Sequence, residues 1–146
     1  MRIPGEWQVC DDGVTRPLAR AAVLDGDGHL IAEDFLIDSG ADRTVFAPAL
    51  LTRLRLPIRS ALTGVTLRGI GGASAFVVLT TAVEFLRDDG GAVRVRGEFA
   101  AFTDPTATDL SVLGRDVLDN FDLIISRRRS EILLLAPRHQ YRIDPE

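Results

Sequence analysis

Residues 37–42 read Ile-Asp-Ser-Gly-Ala-Asp and close an apolar run with a carboxylate, a hydroxyl and a glycine. A strand ending there delivers the Asp38 carboxylate into a partly buried loop, and Gly40 permits a tight turn behind it. A single carboxylate in such a place simply ionises. Two that share one proton at close range cannot both ionise, and the pair then serves as base and acid in one turnover. The downstream aspartates Asp104, Asp109, Asp116, Asp119 and Asp122 lie in no second Asp-Ser/Thr-Gly sequence. The partner carboxylate must therefore come from another copy of the chain, which implies a twofold dimer.

Composition removes rival chemistries. All 17 basic residues are arginine, so Walker-A phosphate binding, Schiff-base catalysis, kinase-type ATP anchoring and Ser/Lys dyads are excluded for want of a lysine amine. The skew reads as codon bias of a GC-rich genome more readily than as a selected function. Cys10 is the only cysteine and reads as a bystander; His29 and His139 are the only histidines. These counts leave no disulfide framework, Cys-rich zinc site or His-x-x-x-His helix, and no metal or cofactor is expected. The 146 residues are 46% hydrophobic and 26% charged, which suits one domain, 1–146, with a core of its own. No apolar run approaches the roughly 18 residues that span a bilayer, and residues 1–13 lack the apolar stretch of a signal peptide. The expectation is a cytoplasmic protein without a membrane partner. A net charge of -4 gives no general attraction for phosphate backbones, so no nucleic-acid partner is expected, and Arg127-Arg128-Arg129 reads as a solvated turn.

The elements that must position Asp38 are mostly strands. Residues 17–37 hold two apolar bursts split by Asp25-Gly26-Asp27-Gly28, which predicts an antiparallel hairpin. The Asp25/Asp27 spacing also resembles a calcium loop, but no third oxygen ligand and bidentate glutamate follow at the required offset. Residues 46–56 carry an early proline and leucines at helical offsets, predicting a short amphipathic helix before Pro57. Strands are predicted over 62–68, 75–86 and 93–102, the last two joined at Asp88-Asp89-Gly90-Gly91. Gly69, Gly71 and Gly72 surround Ile70 in what reads as a bendable hairpin tip, a flap. A short apolar burst at 110–113, a two-turn helix over 115–121, strands at 122–125 and 132–135, and a polar tail complete the chain. The predicted class is mostly β with one or two short helices.

Three motifs, FLIDSGADRTVF, LRGIGG and SVLGRDVLDNFDLII, stand in the order found in retropepsin-like (retroviral-type) aspartic proteases. Over residues 18–135 the chain resembles that family, as a bacterial, single-domain member with a polar tail at 136–146. The resemblance implies a closed β-barrel-like fold, a homodimer with its site on the twofold axis, and a peptide or protein substrate. It marks Asp38, Ser39 and Gly40 as the catalytic signature, with Ser39 where threonine is commoner and its hydroxyl interlocking the two loops. It marks Ala41, Asp42 and the flap residues Gly69, Ile70, Gly71 and Gly72 as substrate-binding. Gly114 and Arg115 match the segment whose arginine pairs with the acid after the signature, here Asp42. The chain ends, with Trp7 near one and Tyr141 near the other, carry no recognisable similarity. Two readings follow: an aspartic endopeptidase, or an inactive dimerisation or peptide-binding module of the same fold. A carboxylate-pair glycosidase is weaker, since it needs two different carboxylates in one chain.

Overall fold

Aspartates close both predicted hairpins by accepting backbone N–H groups. Asp25 Oδ1 takes those of Asp27 at 2.9 Å and His29 at 2.8 Å, and Asp89 Oδ1 takes that of Gly91 at 2.9 Å. The computed structural model describes residues 1–60, 67–69 and 72–136. The expected strand residues 62–66, the flap-tip residues Ile70 and Gly71, and the tail at 137–146 with His139 and Tyr141 lie outside the described residues.

In chain order the elements are β1 (Arg2–Val9), β2 (Thr15–Leu24), β3 (Leu30–Ile37), β4 (Val45–Phe46), α1 (Pro48–Leu54), β5 (Arg59–Ser60), β6 (Leu67–Gly69) and β7 (Gly72–Ser74). They continue with β8 (Phe76–Leu86), β9 (Ala92–Phe102), β10 (Ser111–Leu113), α2 (Arg115–Leu118), β11 (Asp122–Ser126) and β12 (Glu131–Leu135). Strands β2, β3, β10, β4, β9 and β8 follow one another edge to edge, and the β2–β8 pairing closes them into a six-stranded barrel. Closure leaves none of these strands as a barrel edge. Inside sit Phe35, Phe46, Phe85 and Leu79, each at most 2% exposed, with Phe46 stacked on Phe99 at 5.4 Å between ring centres. Strands β6 and β7 form a separate two-stranded sheet in which Gly69 pairs with Gly72. No helix among the described residues is long and apolar enough to cross a membrane.

Both helices are shorter than their sequence pattern. Phe46 is taken by the sheet, where it pairs in parallel with Ala101, so α1 starts at Pro48 and stops at the left-handed Arg55. In α2 the coil ends at Leu118 because Asn120 Nδ2 donates to the Val117 carbonyl at 2.9 Å and Phe121 turns into the core beside Phe85. Strand β1 has no counterpart in the sequence reading. Pro4 and Gly5 interrupt its pattern, yet Arg2 to Gly5 pair with Leu135 to Ile132, and Glu6 to Val9 pair with Leu18 to Thr15. Gly5 is required there, since a Cβ would lie 2.6 Å from Ile132 Cγ2 and 2.7 Å from the Leu18 carbonyl oxygen.

Candidate active site

Strands β3 and β10 run in parallel, with Ile37 opposite Leu113, so Asp38 and Gly114 leave the sheet side by side. The Asp38 N–H donates to the Leu113 carbonyl at 3.1 Å. From Asp38 the chain loops outward and returns as β4 on the far side of β10. That crossing confines the loop between two strands and the start of α2.

The loop is fastened at successive residues. Asp38 Oδ1 accepts the Gly40 N–H at 2.9 Å, and the Asp38 carbonyl accepts the Ala41 N–H at 3.1 Å, which makes the tight turn. The Ala41 and Asp42 carbonyls accept the Arg115 and Asp116 N–H groups at 2.9 and 3.3 Å. Asp38 is half-buried, and Ser39 and Gly40 are exposed. One carboxylate oxygen of Asp38 is thus fixed by the turn.

Arg115 pairs with Asp42 through its guanidinium, as the motif implied. Donating to the Asp42 carboxylate raises the arginine's already high pKa. The two side chains remain 53% and 79% exposed, which places the pair among weak surface bridges. A buried contact carries more of the restraint. Thr44 is fully buried; its N–H and Oγ1–H donate to Asp116 Oδ1 at 2.8 and 2.7 Å, and its Oγ1 accepts the Gly114 N–H at 3.0 Å. Asp116 Oδ1 also accepts the Val117 N–H at 2.9 Å. Gly114 allows this approach, because a Cβ there would collide with the Arg43 carbonyl and lie 2.8 Å from Thr44 N. The sequence reading missed Thr44 and gave Asp116 no role. An acid in the first turn of a helix, following a Gly-Arg pair, was the available signal.

One shell further out, Ser111 Oγ donates to Glu33 Oε1 at 2.7 Å and accepts the Ala47 N–H at 2.9 Å, joining β10, β3 and the start of α1. Burial pushes the Glu33 carboxyl pKa up, against the opposing effect of the Ser111 bond. Asp25, Asp27 and His29 offer ligand atoms within 4.8 Å of one another, but Asp25 Oδ1 is engaged by the two turn N–H groups. The Asp25 carboxyl is pushed up by burial and pulled down further by those bonds, ending below its ordinary value.

Gly69 and Gly72 face each other across the β6–β7 hairpin. The structure thus brings Asp38, Ser39, Gly40, Ala41, Asp42, Gly114 and Arg115 into one cluster and sets the two glycines at the end of a separate hairpin.

No protein-family model matches the chain, nor does any curated protein. Among solved structures it is similar to a retropepsin-like aspartic protease from Rickettsia conorii, with TM-score 0.55 and 19% identity over 92% of this chain and 89% of that one. It is also similar to EIAV protease complexed with the inhibitor HBY-793, with TM-score 0.51 and 23% identity over 71% of this chain and 86% of that one. The fold is retropepsin-like.

Proposed function

We propose that the chain is one half of a homodimeric aspartic endopeptidase in which Asp38 of each copy supplies one carboxylate. The observation that carries this reading is the half-buried Asp38 at the end of β3, one oxygen held by the Gly40 N–H, on a loop fastened to β10 and α2. A reacting group must be held to a fraction of an ångström, and this loop is restrained by backbone bonds on both flanks.

In the proposed reaction one Asp38 is ionised and its counterpart protonated, with a water between them. The water oxygen forms a bond to the peptide carbonyl carbon while its proton passes to the ionised carboxylate. The carbonyl π pair moves to oxygen, which takes the proton of the other carboxyl. Collapse of this gem-diol breaks the C–N bond as the carboxyl that took the water's proton passes it to the leaving nitrogen, and the other carboxylate recovers a proton from a gem-diol hydroxyl. The residues present complete the cycle in this scheme. Gly69 and Gly72 support a substrate-covering role for the β6–β7 hairpin, with an extended peptide held as an added strand by main-chain bonds.

The test is cleavage of a diverse peptide library over about pH 3 to 7, read by mass spectrometry, with a pepstatin-type inhibitor as control. Asp38→Ala should lower cleavage by about 10³-fold or more while the melting transition persists. Cleavage that survives this substitution refutes the assignment of Asp38. A dimer that cleaves nothing at any pH favours the peptide-binding module.

A further inference from the structure

The strand that leads to Asp38 carries a cavity for which the proposed reaction has no use. In β3 the buried residues are Phe35 and Ile37, so the alternate residues Ala32, Asp34 and Leu36 lie on the outer face, and Asp38 continues that series past the strand's end. In β10, Ser111 and Leu113 are buried, and Val112, opposite Leu36, shares the outer face. Asp34 precedes Asp38 by four residues, a separation of about 13 Å along an extended strand.

Beside Asp34 opens a cavity of about 440 Å³, lined by Arg20, Ala32, Glu33, Asp34, Asp109 and Leu110. Three carboxylates share this wall with one guanidinium, which is already engaged: Arg20 Nε donates to Asp34 Oδ1 at 3.0 Å, and its Nη2 lies 3.6 Å from Glu6 Oε1. Burial raises the Glu33 carboxyl pKa and Asp34 adds to the effect, against the pull of the Ser111 bond and of Arg53. The charged form of Glu33 is therefore short of a counter-charge. Leu110 and Ala32 supply an apolar wall of the kind on which a long aliphatic stem packs. A second cavity, of about 420 Å³, lies between α1 and residues 102–109, with Leu51, Phe102 and Pro105 among its walls. Asp109 lines both cavities and stands between them.

We propose that the cavity beside Asp34 takes a basic side chain, lysine or arginine, of the peptide being cleaved, about four residues from the scissile bond. The inference rests on the endopeptidase reading and deepens it by naming a class of substrate. An extended peptide advances by about 3.3 Å per residue. One leaving Asp38 along the outer face passes Leu36 and Val112 and comes level with Asp34 at its fourth residue. The second cavity leaves room for the chain to run on past Asp109. In a pair of copies one such cavity lies on each side of the cut, so a basic residue on either side is favoured.

The test is a peptide series in which one arginine, or alanine in its place, is moved stepwise outward from the best-cleaved core of the library, or from an apolar core where none is cleaved. Arginine at the third to fifth residue should raise kcat/KM by about fivefold over alanine, the upper end for one exposed ion pair. The gain should lie in KM and shrink as salt rises. Asp109→Lys should bring the ratio to about one, and Asp109→Glu should keep it. Binding is read separately, by fluorescence anisotropy of labelled peptides on the Asp38→Asn protein. Should Asp109→Lys fail to fold, the salt dependence decides alone. Cleavage without an arginine preference overturns the inference and leaves the enzyme, as does a preference indifferent to salt or to Asp109→Lys. Tighter binding of the arginine peptides without any cleavage, lost when Asp109→Lys is added to Asp38→Asn, keeps the cavity and removes the peptidase. Neither cleavage nor an arginine preference in binding removes both.

Discussion

The loop that carries Asp38 is fastened to its surroundings by hydrogen bonds from Asp38, Ala41, Asp42 and Thr44, whereas the hairpin bearing Gly69 and Gly72 forms a two-stranded sheet of its own. Glycine serves both segments for different reasons. At Gly114 the missing side chain lets the α2 start press against the Arg43–Thr44 backbone. In the hairpin, Gly69 and Gly72 pair with each other in a sheet separate from the barrel strands. Backbone bonds to β10 and α2, more than glycine content, set apart the segment that holds a carboxylate.

Substitutions can break that contrast. Gly114→Ala should be the most damaging, because backbone atoms and not a flexible side chain occupy the Cβ position; a loss of about 1–3 kcal/mol is expected by calorimetry. Thr44→Val should follow, leaving the buried Gly114 N–H without its acceptor at about 1–3 kcal/mol. Gly69→Val should leave the melting temperature unchanged and lower kcat/KM for peptides by about tenfold, the size of a modest gating defect. If it destabilised the chain as much as Gly114→Ala, the distinction between the two segments would be lost. Arg115→Ala should cost less than about 1 kcal/mol in a denaturant titration, because the ion pair it removes is exposed.

The smallest effect concerns Glu33 and sharpens the picture of the loop's outer support. Its carboxyl pKa is raised in the folded chain, so the folded state binds this proton more tightly than the unfolded one, and stability falls as pH rises beyond the ordinary carboxylate range. Glu33→Gln keeps an acceptor for Ser111 Oγ and removes the charge. The wild type should therefore lose more melting temperature than this variant between pH 5 and pH 7, and equal losses would show that burial of Glu33 has no consequence.

What could be read from the chain followed the range of the forces involved. The β2–β3 and β8–β9 hairpins were legible because Asp and Gly at their turns act over four residues. The Asp42–Arg115 pair was legible through a motif, though its exposure, and hence its weakness, was not. Strand β1 was hidden because Pro4 and Gly5 look like breakers, and the contacts that hold them come from β12, at the other end of the sequence. The Thr44–Asp116 bond depends on β3 and β10 lying in parallel, which no local pattern announces. Helix predictions overran for a related reason: Phe46 and Phe121 gain more from the core than from another helical turn.

The pairing of Arg2 with Leu135 has a consequence for biosynthesis. One half of β1 acquires β2 almost as soon as it leaves the ribosome, while the other half waits for β12. At roughly 5–20 residues per second, that interval is on the order of ten seconds. Over this time a short segment containing Pro4, which lacks an N–H, is exposed to other nascent chains. The residue that conceals the strand from sequence inspection thus weakens it as a template for unwanted pairing until its own partner has been made.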